Sequence, residues 1–523
     1  MRSSHLGRTA IPTALLALLF LAPFPAAAQQ SPPESPRHSA YSSPAQADLA
    51  VLLHDLQSQV QQLNSQLGEM KADSAQLRSE LQVTRAELAA LKNSPTSAIS
   101  SSQTVTVPSS SESSSTEDRL SRIEENQQLA DAKIAEQSQT KVESSSKYRV
   151  RLSGIVLFNT YINRGSIDNQ DFPQIAIPRD LLRSDGSFGG SLRQTQIALQ
   201  AFGPTVAGAR TSADVHLDFA GGFSKVPNGA SFGLMRLRTG TVRFDWQNTS
   251  LIAGQDSLFF VPLSPTSLAT LAVPALSYSG NLWAWAPQIR VEHTVHVGES
   301  SSLILQGGIL DSMSGDMPSG DYGRGPSWGE QSGLPAIAAR TAFTHSFFGQ
   351  PFTIGAGGFF GRQDWGFSRI VNAWAATIDL ALPLGRRFEF DSAAFRGRGL
   401  GGLGGGIGQT ALWSRSFTNP TTEIYGLNSI GGWAQLKFKA TSKFQINGAF
   451  GEDNPFASDM RLGGSQQYFA SPLSKNLNYF ANFIYQPRSD IVLSLEYRRL
   501  KTFKLDSNAD SANHINFSVG YIF

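Results

Sequence analysis

The fold class predicted from the sequence is an all-β transmembrane barrel of about 16 antiparallel strands, preceded by an α-helical coiled-coil segment. Three observations predict it. The last strand alternates Ile515, Phe517, Val519, Tyr521 and Phe523 with Asn516, Ser518, Gly520 and Ile522 up to an aromatic carboxy-terminus, a pattern that gives one apolar face for lipid and one face for a lumen. From Tyr148 onward a period-two pattern recurs in segments joined by turns that alternate between short and long. Beyond the amino-terminal apolar run, no stretch is long and apolar enough to span a membrane as a helix.

The amino-terminus indicates export. Arg2 and Arg8 precede an apolar run from Ile11 to Ala22, then Pro23, Pro25 and the small residues Ala26 to Ala28, so residues 1–28 read as a secretory signal peptide. Removing Arg2 and Arg8 with the signal leaves 41 basic and 41 acidic residues, a balance that argues for no polyanionic partner and no nucleic acid. The absence of cysteine excludes disulfide scaffolding and thiolate metal sites.

Residues 29–46 are rich in Pro, Ser and Gln and are predicted to be disordered. Residues 47–93 read as a coiled coil. Leu49, Leu53, Leu56, Val60, Leu63, Leu67, Met70, Ser74, Leu77, Leu81, Thr84, Leu88 and Leu91 recur at spacings of four and three, and all but Ser74 and Thr84 are apolar. A single amphipathic helix lying on another surface is the alternative, and the Leu seam does not choose between two and three strands. Residues 94–116 form a linker in which 15 of 23 positions are Ser or Thr. A shorter helix over 117–143 follows, carrying Leu120, Ile123, Ala130 and Ile134.

Residues 148–523 then divide into sixteen strands, with seven short turns at one end and eight mostly longer loops at the other. That is the arrangement of a barrel whose two termini share the periplasmic side. Trp246, Phe347, Phe388, Phe438, Phe444 and Tyr485 beside the short turns fit an aromatic girdle. Sixteen strands enclose a lumen too wide for side chains to fill, so something must narrow it or let it conduct. The loop from Ser257 to Ala286 is the candidate for narrowing, because Leu258, Phe259, Phe260, Val261, Leu268, Leu271, Val273 and Leu276 need a surface to pack on. Asn281, Trp283 and Trp285 are its candidate constriction residues. A subunit contact or a fold over the barrel rim would also cover this loop.

Strand parity nominates the lumen residues. Leu152, Val156 and Phe158 facing lipid put Arg151, Asn159 and Tyr161 inside, and Val242, Phe244 and Trp246 facing out put Arg243 and Asp245 inside. The same reasoning gives Arg151, Arg243, Arg290, Arg340, Lys437, Lys439 and Arg498 as candidate pore-lining residues. Glu292, Glu496, Asp214, Asp218, Glu389 and Asp391 fall on the same inner face. A transverse field with basic and acidic walls is as compatible with this set as uniform anion selectivity. The chain lacks HExxH and Gly-x-Ser-x-Gly motifs, and Gly401 to Gly406 lie in a long loop without the lysine of a phosphate-binding loop. No enzymatic activity, metal or cofactor is expected.

The heptad from Leu49 to Leu91, the strand Ser191 to Leu199 bearing Arg193, and the Gly280-Asn281-Leu282-Trp283 stretch together resemble a known group. These are the trimeric sixteen-stranded porins whose barrels follow a periplasmic coiled coil, the DcaP-like porins, within the broader neighbourhood of the phosphate-selective porins. The resemblance implies a homotrimer in outer-membrane lipid, a third loop folded inward, and passive uptake of small solutes, often anionic ones such as dicarboxylates or phosphate. The chain departs from the phosphate-selective pattern in having no dense lysine ladder. The expected function is a loop-constricted porin with an anionic bias. The alternative is an envelope tether, in which the coiled coil reaches through the periplasm to peptidoglycan or another envelope protein.

Overall fold

The computed structural model describes residues 149–523, apart from 183, 224–232, 317–322, 463–464, 467–472 and 506–507. The signal peptide at 1–28, the disordered stretch at 29–46, the coiled coil at 47–93, the linker at 94–116 and the helix at 117–143 lie outside the described residues. Among the described residues, no helix is long and apolar enough to cross a membrane.

The wall consists of β1 (Val150–Arg164), β2 (Gly186–Ser191 and Gln196–Val206), β3 (Ala209–Asp218), β4 (Arg236–Asp245), β5 (Thr249–Ser257), β6 (Trp285–His296), β7 (Ser301–Leu310) and β8 (Ala336–Phe347). It continues through β9 (Gln350–Asp364), β10 (Ile370–Pro383), β11 (Phe388–Arg398), β12 (Asn428–Lys439), β13 (Phe444–Pro455), β14 (Leu473–Arg488), β15 (Ile491–Lys504) and β16 (Asp510–Ile522). Each strand pairs antiparallel with its sequence neighbours, and β1 pairs with β16 from Ile155↔Ile522 to Arg164↔Asn513, which closes the sheet. Phe523 completes the seam: its carbonyl accepts from Gly154 N at 2.9 Å and its own amide donates to Gly154 O at 3.1 Å. Closure removes both sheet edges, the condition for β-structure to lie in lipid.

Alternation sets which face meets lipid. On β1, Leu152, Val156 and Phe158 are exposed while Leu157, Asn159 and Tyr161 are buried, and on β16 Ile515, Phe517, Val519 and Tyr521 are exposed while Asn516 and Ser518 are buried. Aromatic pairs mark the short-turn end, with Phe388 and Phe438 stacked at 4.7 Å and Trp246 donating its indole N–H to Ala207 O at 3.0 Å.

Eight connections lie at the other end: L1 (165–185), L2 (219–235), L3 (258–284), L4 (311–335), L5 (365–369), L6 (399–427), L7 (456–472) and L8 (505–509). The loop read from Ser257 to Ala286 is thus slightly shorter, because Trp285 and Ala286 already pair with Ser257 and Asp256 as the start of β6.

Two irregularities depart from simple alternation. The second strand is broken at 192–195, where Thr195 N bonds to Leu192 O and the Thr195 hydroxyl accepts from Leu157 N. The break turns Arg193 and Gln194 inward. In β4, a register shift opposite His216 and Leu217 inserts one residue. Below it Arg243 and Asp245 face inward as parity requires, whereas above it Arg236 and Arg238 also face inward, where unbroken parity from Val242 would send both to lipid.

Candidate functional site

L3 folds into the barrel. Its apolar residues Leu258, Phe259, Phe260, Val261, Leu276 and Leu282 form one core with inner-wall residues of β8 to β14, including Ala338, Phe359, Ala375, Phe395, Trp433 and Phe480. Burying a side chain of this size stabilises by roughly 1.5–3 kcal/mol each, which is the physical reason so apolar a loop does not stand in solvent.

The backbone of L3 is held by polar side chains from around the wall. Thr377 of β10 donates to Phe260 O at 2.8 Å. Gln435 of β12 accepts from Thr266 N at 2.8 Å and donates back to Thr266 O at 3.1 Å, and Asn482 of β14 donates to the same carbonyl at 3.0 Å. Asn159 of β1 donates to Leu268 O at 3.1 Å. Gln194 bridges Ala269 O and Ala272 N at 2.9 and 3.0 Å, and Gln196 donates to Leu271 O at 3.0 Å. Arg238 and Arg236 of β4 donate to the carbonyls of Leu271 and Ala272 at 2.6 and 2.7 Å. A loop crossing the lumen has backbone groups out of reach of water, and these amides and guanidinium groups satisfy them.

Close approach to the wall uses glycine. Gly280 has φ +90°, and a Cβ there would lie 2.2 Å from Gly432 O and 2.5 Å from Glu452 O. A Cβ on Gly451 of β13 would lie 2.2 Å from Ser279 O. L6 covers L3 from the loop side. Leu403 O accepts from Trp283 N at 2.9 Å, Ile407 N donates to the Asp453 carboxylate at 3.1 Å, and Leu403 and Ile407 are buried. The glycine run at 401–406, read only as a long loop, therefore lets a second backbone lie against the third loop. L1 joins them through Arg498 to Pro173 O at 3.4 Å and Asn476 to Gln174 O at 3.0 Å.

A cavity of about 650 Å³ lies against β1 to β6, lined among others by Arg151, Gln200, Arg210, Asp214, His216, Arg243, Asp245, Asp256 and Arg290. Its charges are largely paired. Arg290 bonds Asp256 and Glu292, each at 2.8 Å, and Arg243 bonds Asp245 at 2.7 Å and approaches Glu292 at 3.8 Å. Asp214 accepts from Thr241 at 2.5 Å and lies 3.5 Å from His216. The arrangement is an interleaved field of both signs rather than a ring of cations.

The sequence-predicted residues thus separate into groups. Arg151, Arg243 and Arg290 line this cavity. Arg340 faces inward but is buried in a fork with Asp379, at 2.6 and 3.0 Å, and a third bond to Gln306. Arg498 departs further from a pore-lining position. It is wholly buried under L3, bonded to Glu496 at 2.7 and 3.1 Å and within 3.5 Å of Ser267 and Thr270, because Ser267 of L3 seats on the same carboxylate. Lys437 and Lys439 share Glu389 at 2.9 and 2.6 Å, with Asp391 also on Lys437. Asn281 is a buried staple inside L3, donating to Ala275 O and Ser264. Trp283 packs edge-on against Trp285 at 5.4 Å, and Trp285 lies under Arg236 and Arg238 at 4.9 and 4.8 Å.

Two loop carboxyls are displaced from their ordinary range. Burial pushes Asp168 of L1 up to about 6, against the opposing bonds from the backbone N–H of Ile175 and Gln174. The Arg324 guanidinium, at 2.6 and 2.7 Å, together with Ser327 N–H holds Glu330 of L4 down to about 2.

A closed sixteen-strand barrel with its third loop inside has the fold of the outer-membrane porins. That fold is shared by the outer-membrane channel DcaP of Acinetobacter baumannii, at 18% identity and a TM-score of 0.55 over 73% of this chain and 99% of that one. An anion-selective porin from Comamonas acidovorans aligns at 11% identity and TM-score 0.44 over 72% of this chain and all of that one. OprB of Pseudomonas putida aligns at 10% identity and TM-score 0.44 over 72% and 94%. No protein-family model and no curated relative matches the sequence.

Proposed function

We propose that the protein is a DcaP-like diffusion porin in which L3, backed by L1 and L6, closes the β8–β15 side of the lumen and leaves a constricted path along β1 to β6. The observation that carries this reading is the set of hydrogen bonds from Thr377, Gln435, Asn482, Asn159, Gln194 and Arg238, which suspend L3 across the lumen. Small hydrophilic solutes pass the mixed field of Arg151, Arg243 and Arg290 with Asp214, Asp245 and Asp256. With Glu292 beside Arg290 and Arg243 the acids equal the cations in number, and the anionic bias rests on Arg210, which makes no ion pair among the described residues. Charged groups of this kind act by raising the local concentration of the opposite ion.

The reading includes a homotrimer. Leu181, Leu182 and Phe188 of L1 and β2 stand exposed on one side of the barrel and supply an apolar surface for a second copy. The heptad from Leu49 to Leu91 supports either trimer assembly or the tethering role, and deletion of residues 29–141 tests both, since a protein that stays trimeric in mild detergent does not assemble through the heptad. A porin keeps conducting after that deletion, whereas a tether loses envelope attachment.

The test of transport is the reversal potential of the purified protein in a planar bilayer under a salt gradient, with succinate and phosphate as added blockers. An anion-shifted reversal that moves toward zero in Arg290→Gln supports the bias. A cation-shifted reversal removes it.

A further inference from the structure

The short-turn end carries a second cavity, of about 540 Å³, on the opposite wall from the first. It is bounded by the β10–β11 turn with Arg386 and Arg387, the β12–β13 turn with Lys439 and Lys443, and Gln445 and Gln486 of the adjoining strands. The turns are tied together, since Lys439 N donates to Arg387 O at 2.7 Å and Gln486 N to Lys443 O at 2.8 Å. Higher on the same strands, Lys437 and Lys439 are matched by Glu389 and Asp391. Arg386, Arg387 and Lys443 have no such match, as their side chains are exposed and make no ion pair among the described residues. Above them Gln435 and Asn482 are capped by Thr266 of L3, so the cavity is a recess opening at the short-turn mouth.

Three uncompensated cations gathered around one recess repel one another, and a multivalent anion removes that repulsion. The guanidinium groups present planar forks that match carboxylate and phosphate oxygens, while the lysine supplies a point charge. We propose that this recess is a binding site for a small polyvalent oxyanion, phosphate or polycarboxylate, held by Arg386, Arg387 and Lys443. It is separate from the cavity lined by Arg151, Arg243 and Arg290 and does not depend on conduction. In a bacterial barrel the short turns face the periplasm, so the site holds an anion on the inner side of the membrane.

Calorimetric titration of the full-length protein in detergent tests it, with inorganic phosphate and citrate used separately at low ionic strength. The expected result is saturable binding of at least one anion, weakened roughly tenfold by either Arg387→Gln or Lys443→Gln and further by the pair. The tighter of the two anions identifies the class. These are exposed turn residues, and the heat-modifiable gel shift checks that each variant is folded. Absence of saturable heat with both anions would overturn the proposal. So would binding that survives the Arg387→Gln/Lys443→Gln pair and disappears in Arg290→Gln, which would place the anion in the other cavity.

Discussion

Asp218 is fully buried in the wall, and Arg236 and Arg238 are what make its burial tolerable. Their guanidinium groups lie 2.7 and 3.3 Å from its carboxylate, carry the L3 carbonyls of Ala272 and Leu271, and flank Trp285. Replacing both arginines by methionine leaves Asp218 buried and unpaired, a loss of about 3–5 kcal/mol. Unfolding in urea followed by tryptophan fluorescence should show that loss, and an unchanged midpoint would contradict the pairing. Two loop carboxyls give opposite pH dependences. Asp168 is raised from 3.8 to about 6, so its charged form opposes the folded L1; the cost is absent below about 3.8 and complete above about 6. Protease cleavage in L1 should therefore increase as pH rises across that window, and Asp168→Asn should flatten the profile. Glu330 is lowered from 4.5 to about 2, so its clasp with Arg324 contributes above about 4.5 and is lost as pH falls through about 2. The pair is exposed and screened, so a local loosening of L4 rather than unfolding is expected there.

At the scale of elements, L3 depends on backbone contact with β12 and β13. Gly451→Val places a side chain where Ser279 O now lies, and Phe260→Ala removes a ring stacked 5.6 Å from Phe359, at about 3–5 kcal/mol. Both variants should raise protease accessibility within 258–284 while the barrel remains heat-modifiable; protection equal to the unmodified protein would show that L3 is held otherwise. The inward position of L3 was legible because Phe259, Phe260 and Val261 demand a partner surface. The wall was legible because a period of two survives in strands with one face in lipid. The residues that seat the loop were not. Gln194, Gln435 and Asn482 look like any lumen-facing amide, and their partners are backbone carbonyls that no side-chain pattern marks. Arg236 and Arg238 were hidden by a single inserted residue, since parity inverts above a bulge and nothing in the composition of β4 announces one. The glycines at 401–406 read only as part of a long loop, whereas Gly404 packs closely against Trp283 and Gly402 against the backbone of Met313.

For the whole molecule, the loops divide the barrel unequally. L1, L3 and L6 pack over the inner wall from β8 round to β1, and the cavity of about 650 Å³ remains along β1 to β6. The proposed porin has a narrow path beside L3, with its conductance set by the seat of that loop rather than by the barrel radius. Single-channel conductance of the folded protein, measured beside Gly451→Val, tests this most directly. Small, stable steps are expected for the unmodified chain and distinctly larger or noisier steps once L3 is displaced. Folded, heat-modifiable protein that passes no current in either form would contradict it, because the loops would then plug the barrel and no solute path would exist.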